Sequence, residues 1–150
     1  MKLRMSFIRL WNDRRGTSFM ETAILLPALL LLCAGTMDFA RVVYAGIEVA
    51  SAARAGVQYG ALTPGNAGDT SGMQQAALTD AADLGSSVTA TATSYCTCSG
   101  STVDCTSTCN GDVPDGYVSV TANYTFNSIF SYPGMPQTVT LSRTAKMRAQ

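Results

Sequence analysis

The chain has 150 residues, of which 47% are hydrophobic and 13% charged, and its formal net charge is zero. This length allows one small domain beside an apolar segment. The charge is uneven, because the first fifteen residues hold five basic residues and one acidic one, whereas residues 17–150 hold nine acidic and five basic ones. The C-terminal part has no basic patch, which argues against nucleic acid as a partner.

Residues 1–16 form a basic leader that precedes a long apolar run. No charged residue occurs from Thr22 to Met37. As a helix rising about 1.5 Å per residue, this run together with residues 17–20 approaches the ~30 Å hydrocarbon thickness of a bilayer. The basic flank of a single membrane helix is expected to stay on the cytoplasmic side of the membrane. We therefore expect a single-pass protein of the bacterial inner membrane, with a cytoplasmic N-terminus and a periplasmic or extracellular C-terminus.

The helical pattern continues beyond the apolar run. Apolar side chains recur at three-to-four spacing, as on one face of a helix, at Phe39, Val43, Ile47, Ala50, Val57 and Ala61. The pattern predicts one membrane helix over residues 17–61, with a kink or a locally loosened turn at Pro27, where one helix hydrogen bond is lost. Its outer half is rich in Ala, Gly and Ser, which permits close approach by another helix or packing on its own domain.

Residues 62–150 predict a small extracytoplasmic α+β domain. After a turn-rich break at residues 63–69, a short helix is expected over residues 72–84, with Ser71 and Gln74 as a capping box and Gly85 at its end. Three later segments alternate with period two, near residues 88–93, 117–126 and 139–147. They predict a small antiparallel three-stranded sheet, against which the long helix and the short helix pack.

Four closely spaced cysteines lie in the exported part, at Cys96, Cys98, Cys105 and Cys109. Such a cluster in an oxidising compartment favours two disulfides. Of the three possible pairings, a nested one (Cys98 with Cys105, Cys96 with Cys109) fits a loop between two strands, although the sequence does not select it. A closed four-thiolate zinc site is the less favoured alternative.

The exported part contains no histidine and, beyond Glu48, no glutamate. Its aspartates match no calcium-binding loop spacing. We expect no enzyme, and hence no catalytic residue, no cofactor, no metal and no small-molecule substrate. On the long helix, Asp38 and Arg41 are spaced to form a pair at the outer membrane edge, either as ordinary interfacial charges or as residues that set the register of a helical bundle.

Gly16 stands between two arginines and the apolar run, five positions before Glu21. This arrangement resembles the processing site of type IV pilin-like proteins, whose prepilin peptidase cuts after the glycine. The cut would fall between Gly16 and Thr17, and a glycine there leaves the scissile backbone accessible. Glu21 would pair with the new amine inside a helical bundle, where both charges are otherwise unsolvated.

Further motifs follow in the order typical of TadE-like proteins, over roughly a third of the chain. They are Arg15-Gly16, Glu21, Pro27, Asp38-Phe39-Ala40-Arg41 and Ala52-Ala53-Arg54-Ala55-Gly56. The resemblance implies a minor pseudopilin that takes part in the assembly of a tight-adherence (Flp) pilus. Its implied partners are the membrane, a prepilin peptidase, other pilin-like subunits and pilus assembly proteins, and its implied location includes the pilus itself.

Two other functions are compatible with this pattern. One is a structural subunit repeated along the filament, and the other is an unprocessed single-pass anchor that carries an exported binding domain. A secretory signal cleaved near Cys33 would discard Glu21, and a lipoprotein site would need a small residue where Leu32 stands. Both of these readings of the N-terminus are disfavoured.

Overall fold

The computed structural model describes residues 17–131, 134 and 136–149. The described residues divide after Phe39 into two compact units. The helices are α1 (Thr17–Ala61), α2 (Pro64–Gly68) and α3 (Thr70–Asp80), followed by a 3₁₀ segment (Ala82–Ser87). The strands are β1 (Val88–Cys98), β2 (Ser101–Val103), β3 (Asp115–Asn127) and β4 (Thr138–Arg148).

The first unit is the N-terminal part of α1, which is apolar on every side. Its large apolar side chains between Phe19 and Leu32 are all more than half exposed, from 52% at Leu26 to 79% at Phe19. A helix that is apolar all round is stable only when something apolar covers it. By length and composition α1 is suited to cross a membrane. It continues through Pro27 as one helix, and the kink expected there stays a prediction.

The second unit contains an antiparallel sheet with the strand order β2-β1-β3-β4. The expected meander is present as β1, β3 and β4, but the prediction of three strands was wrong, because β2 adds a fourth. β1 and β2 form a hairpin, in which Cys96 pairs with Val103 and Cys98 pairs with Ser101. Ser99 and Gly100, with φ of 50° and 85°, supply the two positive φ angles of a tight hairpin turn. A strand of three residues is too short to be predicted from the alternation of apolar and polar residues.

The short helix begins earlier than the sequence predicted. Its N-cap is Asp69, whose carboxylate accepts a hydrogen bond from the Gly72 backbone N–H at 2.9 Å. The Ser71 hydroxyl also donates to this carboxylate, at 2.7 Å, so the expected capping box was wrong. The helix ends at Asp80, and Gly85 lies inside the 3₁₀ segment with φ of 73°. The sequence predicted a turn-rich break at residues 63–69. In the structure, Thr63 caps the short helix α2, which forms a single turn within this segment.

The core of the second unit lies where α1 and α3 cover one face of the sheet. It consists of small and medium apolar side chains: Val49, Ala52, Ala53 and Val57 of α1, Met73 and Ala77 of α3, Ala81, Val88 of β1, and Val118, Val120 and Ala122 of β3. A Cβ added at Gly56 would lie 2.9 Å from the Met73 carbonyl oxygen and 2.9 Å from the Val120 Cγ1 atom. The outer half of α1 therefore packs closely on its own domain.

The close approach at Gly56 predicts opposite effects for two identical substitutions. Gly56→Ala should lower the free energy of unfolding by about 1–3 kcal/mol, because the new methyl group must displace backbone or a buried valine. Gly46→Ala, on the same helix, meets nothing within 4 Å and should raise it by about 0.5–1 kcal/mol through helix propensity. Denaturant unfolding of the detergent-solubilised chain checks both, and equal effects would contradict the packing described.

Asp69 also connects α3 to the end of α1. The Tyr59 hydroxyl donates to its Oδ2 atom at 3.0 Å. The hydrogen bonds from the Ser71 hydroxyl, the Gly72 backbone N–H and the Tyr59 hydroxyl lower the pKa of Asp69 below its ordinary value of 3.8. A lowered pKa in the folded state means that the ionised form stabilises the fold.

The lowered pKa predicts a pH-dependent cost for Asp69→Ala. The variant should have a lower Tm than the parent at neutral pH, because the cap and the tie to Tyr59 are lost. The difference should stay constant above the ordinary carboxyl pKa and shrink as the pH falls through the lower folded-state pKa. Thermal scans between neutral and acidic pH check this. Asp80→Ala, at the other end of α3, is the control, and a cost that does not depend on pH would refute the argument.

Candidate functional site

The processing site predicted at Gly16 lies outside the described residues. α1 begins at Thr17, the residue that would become the new N-terminus. Glu21 is exposed and lies four residues into α1, so it is on the helix face above Thr17. A carboxylate in this position is close enough in sequence to meet an amine at the helix start, and it also complements the positive end of the helix dipole. The roles of Gly16, Thr17 and Glu21 in processing stay predictions.

Asp38 and Arg41, expected at the outer membrane edge, differ in their surroundings. Asp38 is buried, with 5% of its surface exposed, although apolar neighbours on the same helix are exposed. The Arg41 guanidinium lies 5.2 Å from the centroid of the Phe126 ring in β3. This distance is that of a cation–π contact, which fixes the Arg41 side chain against the sheet. Whether either residue sets register in a bundle stays a prediction.

The four clustered cysteines form two disulfides, Cys96–Cys105 and Cys98–Cys109. The pairs cross in sequence, so the nested pairing was wrong. The reason is β2, which returns the chain so that Val103 lies opposite Cys96 and places Cys105 two residues beyond that point. Because every one of these sulfurs is used in a disulfide, the structure does not have the four thiolates of the zinc alternative.

The loop between β2 and β3 is also ordered by local hydrogen bonds. The Asp104 carboxylate accepts from the Thr106 N–H at 2.9 Å and from the Thr106 hydroxyl at 2.6 Å, which lowers the pKa of Asp104. Cys109 and Asp112 exchange two backbone hydrogen bonds around a turn in which Asn110 and Gly111 have positive φ. In the part of the chain that the structure describes, no group of three or more His, Cys, Asp or Glu residues is placed to hold a metal ion.

Two grooves that sequence reasoning missed flank the outer half of α1. One has a volume of about 640 Å³, lies between α1 and β4, and includes the basic residues Arg54 and Arg143. The other has a volume of about 750 Å³, lies beside α3, and includes the acidic residues Asp80 and Asp83. The signal for the first was Arg143, which interrupts the apolar face of the last strand. Recognising the second required the spatial relation of α1 and α3.

Comparison with known proteins supports the resemblance found in the sequence. The family model described as TadE-like protein matches residues 16–58. The match confirms the resemblance over this segment, which covers most of α1, while α2, α3 and the sheet lie outside it. This family is connected with tight-adherence pili and is typically structural rather than enzymatic. Searches of the curated proteins and of the solved structures found no match to the chain.

The crossed disulfides predict the outcome of a thiol count. Cys96→Ala with Cys105→Ala removes one bridge and should leave Cys33 as the only free thiol. Cys98→Ala with Cys105→Ala breaks both bridges and should add the thiols of Cys96 and Cys109. Loss of one bridge should lower the free energy of unfolding by about 2–4 kcal/mol, because each bridge closes a loop and thereby restricts the unfolded chain.

Alkylation of the denatured chain followed by mass spectrometry counts these thiols. The matched control is Cys33→Ala, which should change neither bridge because Cys33 is free and exposed. The reverse result, with two added thiols in the first variant and none in the second, would indicate the nested pairing.

Proposed function

We propose that this chain is a TadE-type pseudopilin, a minor pilin-like component that takes part in the assembly of a tight-adherence pilus. The single observation that carries the proposal is the TadE-like match over residues 16–58. That segment contains the glycine of the processing pattern, the exposed apolar part of α1, and most of the face that packs on the sheet. In this proposal one stretch of sequence combines a cleavage site, a membrane anchor and a support for the exported domain.

The proposed location is the bacterial inner membrane, crossed once by the N-terminal part of α1. The basic leader favours a cytoplasmic N-terminus. The disulfides on the C-terminal side favour an oxidising compartment there, because a cytosol keeps thiols reduced. In this arrangement residues 1–16 are a cytoplasmic leader, residues 17–61 are the anchoring helix, and residues 62–150 belong to the exported domain.

The proposed maturation step is hydrolysis of the peptide bond between Gly16 and Thr17 by a prepilin peptidase. The products are a leader that ends in a carboxylate and a mature chain that begins with an amine at the start of α1. That amine is positive and, in an apolar helical bundle, costly to bury alone. Glu21 lies on the same helix face and would neutralise it, either in its own chain or in a neighbouring subunit. Other pilin-like subunits and pilus assembly proteins are the partners in this step.

The processing step predicts a defined change in mass. When the full chain is expressed together with a prepilin peptidase, the membrane-extracted protein should have the mass of a chain that begins at Thr17. Gly16→Leu should abolish the change, because a side chain obstructs approach to the scissile bond. Intact-mass spectrometry measures both.

Gly35→Leu is the matched control, since this glycine lies in the apolar part of α1 and an added Cβ there meets nothing within 4 Å. It should be cut like the parent. If the parent keeps Met1 while a reference prepilin is cut in the same cells, the chain is an unprocessed membrane anchor and the proposal fails.

A further inference from the structure

The groove between α1 and β4 is apolar along its walls and carries two positive charges. Val43, Ile47 and Ala50 of α1 face Leu141 of β4, and Arg54 and Arg143 lie along the same groove. Ile47 is 62% exposed and Val43 46%, so the apolar wall of α1 is open to solvent. β4 is an edge strand of the sheet, and its position 143 pairs with Ala122, whose side chain is in the core. Arg143 therefore lies on the helix-facing side of a strand that α1 does not cover.

Within the described part of the chain, the two arginines of this groove, which we call the basic groove, have no carboxylate partner. Arg148, further along β4, forms an ion pair with Asp115. Among the residues that the structure describes, neither Arg54 nor Arg143 has an acidic group within ion-pair distance. Arg143 donates one hydrogen bond, to the Ser142 carbonyl oxygen at 3.0 Å, which uses one of the five N–H donors of a guanidinium.

The opposite flank of α1 has the opposite charge. Asp80 and Asp83 are exposed and line the groove between α1 and α3. Glu48 precedes Ala55, which lines this groove, by seven residues and therefore lies on the same face of α1. Glu48, Asp80 and Asp83 together form an acidic flank. On α1 this flank begins at Glu48, inside the stretch from Val42 to Arg54 that lines the basic groove, and its groove continues to Ala55 and Tyr59.

We propose that the basic groove of one copy of this chain binds the acidic flank of the next copy. The inference rests on the proposed function, because anchoring by α1 holds neighbouring copies parallel in one membrane. Both surfaces lie beside the part of α1 that packs on the second unit, and they overlap at Glu48, so parallel copies present them at adjoining levels. The two surfaces differ and lie on different flanks, so the contact is head-to-tail and leaves one free surface of each kind at the ends of a row.

Charge sets the orientation of this contact more than its strength. Exposed ion pairs contribute little stability on their own, but like charges placed opposite each other are strongly unfavourable. The apolar wall of Val43, Ile47 and Leu141 supplies area to bury, and confinement in the membrane raises the effective concentration of the partner. Two basic grooves or two acidic flanks repel each other, so a symmetric contact through either surface is disfavoured.

A photo-reactive amino acid at position 47 of the full-length chain tests the contact in membranes. Irradiation should link the basic groove to residues 70–87 of a second copy. A protease that cleaves beside acidic residues is needed to map the link, because no Lys or Arg occurs between Arg54 and Arg143. The same amino acid at Val113, which is 84% exposed in the loop between β2 and β3, is the control for random collision.

Charge reversal then tests the pairing itself. Arg54→Glu with Arg143→Glu should reduce the yield of linked dimer by roughly tenfold or more, as should Asp80→Arg with Asp83→Arg, because each places like charges together. Co-expression of the two reversed chains should restore the yield, since each then offers the charge that the other lacks. Lys146→Glu, on the other face of β4, is the matched control and should leave the yield unchanged. Retained disulfides confirm that each variant is folded.

Several results would overturn the proposal. They are links from groove to groove, links only to a protein of different sequence, a yield no higher than at Val113, and failure of the mixed reversed chains to restore linking. Intact mass measured on the same preparations separates this proposal from the proposed function. A cleaved chain without the link leaves the pseudopilin assignment standing, whereas an uncleaved chain with the link leaves the contact standing without the pilus role.

Discussion

The second unit depends on the close approach of α1 to β3. Gly56 lies against Val120 and the Met73 backbone, and Ala52 and Ala53, about one turn earlier, are completely or almost completely buried. Such an approach is possible only with small side chains on the helix, and it brings few large apolar groups out of water. With Met73 and several valines as its largest fully buried side chains, this core has little area to stabilise it. The two disulfides restrict the unfolded chain at the far end of the sheet, where neither α1 nor α3 contributes to the core.

The close packing of α1 on β3 also explains why the β4 edge of the sheet is open. Two helices cover a sheet of four strands: α1 lies against β3 and α3 against β1. The inward side of β4 consequently keeps partly exposed apolar residues, with Val139 at 40% and Met147 at 39%. An uncovered apolar edge promotes uncontrolled pairing between sheets, and a charged residue on the inward side opposes it. Arg143 occupies such a position, so its charge opposes pairing at this edge, and in the proposed contact the same charge selects an acidic neighbour.

The long helix and the three main strands were predictable because each has an uninterrupted pattern. α1 was expected over residues 17–61 and has those bounds, since neither glycine nor proline clusters break its periodicity. The rest required information that is not local. β2 is only three residues long, the start of α3 was decided by the Asp69 side chain rather than by Ser71, and the disulfide pairing followed from the register of β2 on β1. The acidic flank was hidden because its residues come from three elements, and more than thirty positions separate Glu48 from Asp80 and Asp83.

The segment that matches TadE-like proteins has two roles, and different residues carry each of them. Some residues pack on the sheet, and others form the surface. In the Ala52-Ala53-Arg54-Ala55-Gly56 block, Ala52, Ala53 and Gly56 are buried against the sheet and α3, whereas Arg54 is exposed in the basic groove. Helical periodicity makes this division unavoidable, because residues of one block must point in different directions. The small residues permit the packing, and the arginine is free to serve the surface. Its partners in the proposed contact, Asp80 and Asp83, lie beyond residue 58, where the family match ends. The match therefore accounts for most of the long apolar helix and its packing, while two of the three acidic groups of the proposed contact lie in the part of the chain beyond the match.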